Sequence, residues 1–286
     1  MIIAAKTLLD KLTDKLTPNN GPDEALAMAY LLVEHVSGLT RADIMTNRPV
    51  EWTDAQQADL NAFAQRLTTG EPLQYILGEA DFYGYRFIVT PAVLIPRPET
   101  ELLIDTILSY EKKQASALPL RVLDVGTGSG CIAITTALVC NADVRATDVS
   151  EVALAIARRN AEHLYAKVEF IHHDILMDEP PFANLDVVVS NPPYIALSEK
   201  TTMGNNVVNF EPHGALFVPD DDALLFYRAL AIKSDDILRT GGMLCVEINE
   251  RFGTEVRDLF IRMGYVQAEI IKDLDGKDRI VKAIKP

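Results

Sequence analysis

One stretch leaves this chain little freedom: Val187-Val188-Val189-Ser190-Asn191-Pro192-Pro193-Tyr194. A run of β-branched valines has the composition of a strand buried on both faces. The prolines that follow have no backbone N–H to donate, so the ladder must stop there. Asn191 and Pro192 are therefore expected in a stiff turn at a strand's C-terminal end, where open α/β sheets bind their ligands. The turn offers two acceptors side by side, the Asn191 amide oxygen and the Pro192 carbonyl. Such a pair suits a planar NH2 group, which has two hydrogens to donate.

Around this strand the pattern alternates. Strands are expected at 121–125, 143–147, 168–171, 186–190, 243–248, 265–271 and 280–284. Helices are expected between them at 132–139, 151–164, 222–238 and 253–263. That predicts an α/β fold with a mostly parallel sheet of seven strands, covered on both faces. Only 272–278 separates the last two strands, too little for a crossover helix, so they should form an antiparallel hairpin at the sheet edge. Upstream the period is helical. Leu8, Leu9, Leu12 and Leu16 share one face, a helix over 22–36 stops at Gly38, and Thr53 with Gln56 forms a capping box. The chain thus divides into a helical bundle over 1–78, a β-hairpin linker over 79–96 and a second domain over 97–286. The linker is read from the alternation of Phe82, Tyr83, Tyr85, Phe87 and Val89 about Gly84.

The first strand of the second domain runs into Asp124-Val125-Gly126-Thr127-Gly128-Ser129-Gly130. Glycines there let a ligand approach the backbone and let helix pack close on strand. The spacing is Gly-x-Gly-x-Gly rather than the Gly-x-Gly-x-x-Gly of nicotinamide binders. An acid, Asp124, stands inside the motif, where it would repel a pyrophosphate but welcome a cationic amino-acid ligand. The sulfonium and ammonium of S-adenosylmethionine meet that requirement. Asp148, ending the second strand, is placed for a ribose diol. Asp174, after the third, is placed for an adenine amino group, with Ile175 against the purine face. His172 and His173 point to opposite faces of a strand, so no metal site is expected.

The formal charge of −14 argues against a broad nucleic-acid surface. No apolar run reaches membrane-spanning length. Cys131, Cys140 and Cys245 have no paired spacing, as in a reduced, cytoplasmic protein.

With both motifs placed, the chain resembles the release-factor glutamine methyltransferases of the HemK/PrmC family, class I S-adenosylmethionine-dependent enzymes, over nearly its whole length. The resemblance is carried by Asp124–Gly130 with Asp148, by the Asn191-Pro192-Pro193-Tyr194 turn, and by Gly70-Glu71-Pro72-Leu73-Gln74-Tyr75-Ile76-Leu77-Gly78. Phe82-Tyr83-Gly84, the run from Leu94 to Glu101, Phe210-Glu211-Pro212 and Asp275-Gly276-Lys277-Asp278-Arg279 add to it. It departs at Ile175, where some members carry an aromatic. The resemblance implies a Rossmann-like methyltransferase domain behind a substrate-recognition bundle. It also implies methylation of the glutamine in the Gly-Gly-Gln loop of class I peptide chain release factors, by a monomeric enzyme.

Asn191, Pro192 and Tyr194 are then the expected catalytic residues, with Pro193 completing the substrate turn and Tyr194 packing over the amide. Asp124, Gly126, Thr127, Gly128, Ser129, Gly130, Asp148, Asp174, Ile175 and Asn191 are expected around the cofactor. Two rival readings are a DNA adenine methyltransferase and a non-catalytic S-adenosylmethionine binder. Between Ile171 and Tyr227 there is one basic residue, Lys200, against nine acids, a balance that would repel DNA. The intact Asn191–Tyr194 turn beside an intact cofactor loop argues against the binder.

Overall fold

A computed structural model of the protein describes residues 2–114 and 118–286; Met1, where the expected bundle begins, lies outside the described residues. The chain divides into two compact units, Met1–Gly78 with Gly204–Phe210, and Glu79–Met203 with Glu211–Pro286.

In the first unit, helices Ala5–Asn20, Pro22–Ser37, Arg41–Met45, Asp54–Thr68 and Leu73–Leu77 enclose a core of their own. Leu8, Leu9, Leu12 and Leu16 are all buried there with Leu32, Ile44 and Trp52. Each boundary has a local cause. Pro22 starts a helix whose missing N–H costs nothing in the first turn, and Gly38 ends it with φ +69°. At Thr53 the capping box is complete: the Gln56 N–H donates to Thr53 Oγ1 at 3.1 Å, and the Thr53 N–H donates to Gln56 Oε1 at 3.0 Å. An unexpected antiparallel pair joins Ile2–Ala4 to Pro49–Glu51. Three residues are too few to show a period of two.

The second unit is a seven-stranded sheet in the order Val266–Lys272, Asp278–Ile284, Leu238–Glu247, Leu185–Ser190, Leu120–Val125, Ala142–Asp148, Val168–His172. All pairs are parallel except those of Asp278–Ile284, which is antiparallel to both neighbours. Helices cover both faces, and the central strand feeds both cores: Val187 and Val189 into one, Val188 into the other. The expected elements are present with shifted ends. Leu238–Glu247 begins five residues before the expected 243 because Gly241 and Gly242 carry a register shift in mid-strand.

The register levels three strand ends. Val125 lies opposite Ser190, and Ser190 opposite Val246. The residues that follow, Gly126, Asn191 and Glu247, are therefore neighbours at one edge: Gly126 and Asn191 leave the sheet, and Glu247 ends its strand opposite Ile280.

The hairpin Glu79–Phe82/Tyr85–Ile88 belongs to this unit. Phe82 and Phe87 are buried with Leu103, Ile104 and Ile107, each phenyl contributing about 1.5–3 kcal/mol. Asn160, 0% exposed, completes the attachment. Its Oδ1 accepts from the Ile88 N–H at 2.7 Å, and its Nδ2 donates to the carbonyls of Ile88 (3.0 Å) and Ser129 (2.9 Å). A side-chain amide thus serves as the strand partner of Ile88 on the side away from Glu79. Asn160→Leu keeps the volume and orphans these groups, so it should lower unfolding free energy by about 3 kcal/mol, read from the urea midpoint.

Candidate active site

A cavity of about 350 Å³ opens at the level strand ends, walled entirely by the second unit. One wall is Gly126–Ser129, in the loop between the strand Leu120–Val125 and the helix Cys131–Val139. The N–H groups of Gly126 and Thr127 donate to the Thr147 carbonyl, at 2.8 and 2.9 Å. A methyl group on Gly126 or Gly128 would meet nothing within 4 Å, so bare backbone borders open space there. Gly130 differs. A Cβ there would stand 2.8 Å from Ile134 Cδ1 and 3.1 Å from Ala157 Cβ, so its absence lets two helices close up.

Asp148 lies on the cavity wall, its Oδ2 accepting from the Gly128 N–H at 2.8 Å and its Oδ1 from the Ser150 N–H at 2.9 Å. Burial pushes its carboxyl up, against the opposing pull of these N–H groups. The following helix is capped by Ser150, whose Oγ accepts from the Ala153 N–H at 3.2 Å, which leaves Asp148 free of that task. Asp174 and Ile175 share the wall, the Asp174 carboxylate accepting from the Leu176 N–H at 2.8 Å. His173 also borders the cavity, whereas His172 faces outward and bonds the Val149 carbonyl. Among the described residues no group of three His, Cys, Asp or Glu side chains is arranged to hold a metal.

Asp124 is not on this wall. It is 0% exposed beneath the loop, where Thr127 Oγ1 donates to its Oδ2 at 2.6 Å and Oδ1 accepts no hydrogen bond among the described residues. Burial pushes its pKa up to about 7.

The turn after Ser190 places Asn191, Pro192 and Pro193 on the wall. Asn191 Nδ2 donates to Thr100 Oγ1 at 3.2 Å, while Asn191 Oδ1 and the Pro192 carbonyl accept no hydrogen bond among the described residues. Tyr194 turns away from the cavity. Its ring packs with the core under the sheet and its hydroxyl donates to Glu247 Oε1 at 3.0 Å. Thr100 donates to the other oxygen, Oε2, at 2.6 Å. Glu247 is 2% exposed, and burial pushes its carboxyl up. Thr100 and Glu247 were not among the expected residues. The available signal was an acid ending the apolar run Leu244-Cys245-Val246. Arg97 reaches the cavity too, and donates to buried Glu211 Oε1 at 2.6 Å. The pair ties together two wall segments, Ala92–Arg97 and Pro212–Ala215.

The donor set fits S-adenosylmethionine. Bare glycine backbone, two carboxylates on the wall, an aliphatic side chain beside Asp174 and a volume in the small-molecule range are what an amino-acid nucleoside requires.

Comparison with known proteins agrees in kind. Residues 7–78 match the PrmC N-terminal domain family and residues 98–211 the methyltransferase small domain family. The release factor glutamine methyltransferase of Bacteroides thetaiotaomicron is 43% identical over 92% of this chain and 93% of its own. The protein of the same name from Koribacter versatilis is 37% identical over 98% of each chain. Among solved structures, a methyltransferase from Pyrococcus furiosus superposes with a TM-score of 0.52 at 18% identity, over 82% of this chain and 99% of that one, a likeness of fold alone.

The buried Asp124 makes a pH signature. An unfolded chain releases this proton near 3.8, the folded one near 7, so stability is full at low pH and falls as pH rises through 7. Asp124→Asn can still accept from Thr127 and never ionises. Urea unfolding should find the two proteins matched near pH 4 and the variant more stable at pH 8, by on the order of 4 kcal/mol.

Proposed function

The chain belongs to the release factor glutamine methyltransferases, and from that premise we propose that the turn Asn191–Pro192 holds the side-chain amide of the substrate glutamine. The enzyme methylates a release factor on glutamine and uses S-adenosylmethionine. The target we infer is the glutamine of the Gly-Gly-Gln loop of class I factors. One observation carries the reading of the turn: Asn191 Oδ1 and the Pro192 carbonyl stand unpaired on the cavity wall, beside a loop of bare glycine backbone.

S-adenosylmethionine supplies a methyl group on a positively charged sulfur. In our reading Gly126, Thr127, Gly128 and Ser129 would border it, with Gly130 letting the helices close behind them; Asp148 would hold its ribose hydroxyls, and Asp174 with Ile175 the adenine. Asp124 acts from below by holding Thr127. An amide nitrogen is a weak nucleophile because its lone pair is shared with the carbonyl. Asn191 and Pro192 accept both amide hydrogens, which fixes the NH2 plane and favours positive charge developing on nitrogen. Holding the reacting atoms in line can lower a barrier by about 7–11 kcal/mol. Tyr194 supports the turn through Glu247, and Pro193 stiffens it.

Asn191→Ala should lower kcat for methylation of purified release factor by roughly a hundredfold, with S-adenosylmethionine affinity within a few fold of wild type by calorimetry. Mass spectrometry of the release factor peptide, showing one added methyl on glutamine, tests the reaction itself.

We further infer that the helical bundle recognises the release factor. A single glutamine side chain offers far less than the roughly 800 Å² per partner of a stable protein interface. Each core closes within its own unit, so a chain beginning at Glu79 should fold. It should bind S-adenosylmethionine normally and methylate intact release factor poorly, in a parallel assay with the full chain. The acidity of the chain suits a basic protein loop rather than nucleic acid. No described helix is long and apolar enough to cross a membrane, and the three cysteines are free and buried; we read the protein as a cytoplasmic monomer.

A further inference from the structure

Shape alone does not decide which way the Asn191 amide points. Its oxygen and its NH2 are nearly the same size, and a flipped amide would fill the same space while presenting hydrogens to a substrate NH2. Hydrogen-bond direction decides it, and the direction originates at Glu247. An ionised carboxylate has acceptors only. Glu247 Oε1 accepts from Tyr194, and Oε2 accepts the only hydroxyl hydrogen of Thr100 at 2.6 Å. With that hydrogen committed, Thr100 Oγ1 has lone pairs alone to offer Asn191, and only Nδ2 can meet them, at 3.2 Å. Asn191 Oδ1 is thereby turned away from Thr100 and left for another donor.

We propose that Glu247 and Thr100 are positioning residues that fix the amide orientation of Asn191, so that its oxygen rather than its NH2 faces the substrate amide. The proposal rests on the reading of Asn191 given above. Thr100 shares the cavity wall with Asn191 and Glu247 lies behind it; Glu247 acts through Thr100, and Thr100 through Asn191. The register accounts for the closeness: Val246 lies opposite Ser190, so the acid and the asparagine are the next residues on neighbouring strands. Thr100 comes from the far side of the sequence, at the turn of 3₁₀ helix that starts at Pro98. A charged side chain held in a core, with both oxygens bonded, is a costly arrangement unless geometry requires it.

The test uses the full-length enzyme, purified release factor and saturating S-adenosylmethionine, with cofactor affinity measured separately by calorimetry. Thr100→Val removes the hydroxyl at constant shape, and Glu247→Leu removes both acceptors. Each should lower kcat about 10- to 100-fold, with KM for release factor and the cofactor Kd moved by less than about threefold. Thr100→Ser, which keeps the hydroxyl, should recover most of the rate. The double variant Thr100→Val/Glu247→Leu should be no slower than the worse single one, because both act through one relay.

A Thr100→Val enzyme within twofold of wild-type kcat overturns the proposal. So does a loss that lies wholly in cofactor Kd, or a double variant whose losses multiply. Should Glu247→Leu fail to fold, the valine and serine variants of Thr100 decide alone. Asn191→Ala separates the two levels: normal turnover there removes the reading of the turn, whereas an inactive Asn191→Ala beside a fully active Thr100→Val removes only the positioning role.

Discussion

Pairing between parallel strands determines where each strand ends as well as where it lies. Here Val125, Ser190 and Val246 lie abreast at the sheet's edge, and the site depends on that agreement. From it come the glycine loop, the asparagine turn and the buried acid, each the next residue along its own strand. Ser190 adds a fastening, its Oγ donating to the Val125 carbonyl at 2.7 Å. A slip of one strand by a single residue would turn Val187 and Val189 to the opposite face and carry Asn191 out of line with the loop. The packing that specifies the register is therefore the packing that places the chemistry.

The same edge shows how a polar site is kept in order inside an apolar sheet. Asp124, Asp148 and Glu247 are each pushed towards the neutral form by burial, and each is restrained by donors: Thr127 for Asp124, backbone N–H groups for Asp148, two hydroxyls for Glu247. The three serve different ends. Asp148 keeps its carboxylate at the cavity wall, Asp124 braces the loop from beneath, and Glu247 sets a direction for groups beyond itself. Three carboxyl groups in one sheet thus differ by what donates to them and by which side of the loop they occupy.

Local features were legible in the sequence because their causes are local. The Pro-Pro stop, the glycine loop, the capping box at Thr53 and the alternation of strand and helix each need only a few consecutive residues. Asp148, Asp174 and Asn191 could be placed because strand ends were visible. What could not be read depends on residues distant in the chain. Thr100 and Glu247 are 147 positions apart, and Asn160 and Ile88 are 72 apart. Tyr194 lies next to a wall residue in sequence yet faces the core, since Glu247 takes its hydroxyl. The mid-strand shift at Gly241 and Gly242 hid five residues of strand, because paired glycines look like a loop.

The buried amide of Asn160 also bears on how such a protein can be assembled in evolution. By position the hairpin Glu79–Phe82/Tyr85–Ile88 lies between two units, but by its bonds it is inherited with the second. The division between the units falls at Gly78, ahead of the hairpin. The first unit, moreover, includes Gly204–Phe210, a segment encoded far downstream. A recombination event with one breakpoint after Gly78 would leave that segment behind with the second unit's part of the chain. Moving the first unit whole takes three breakpoints, one after Gly78 and one on each side of Gly204–Phe210, so it is harder to exchange than a unit with a single seam.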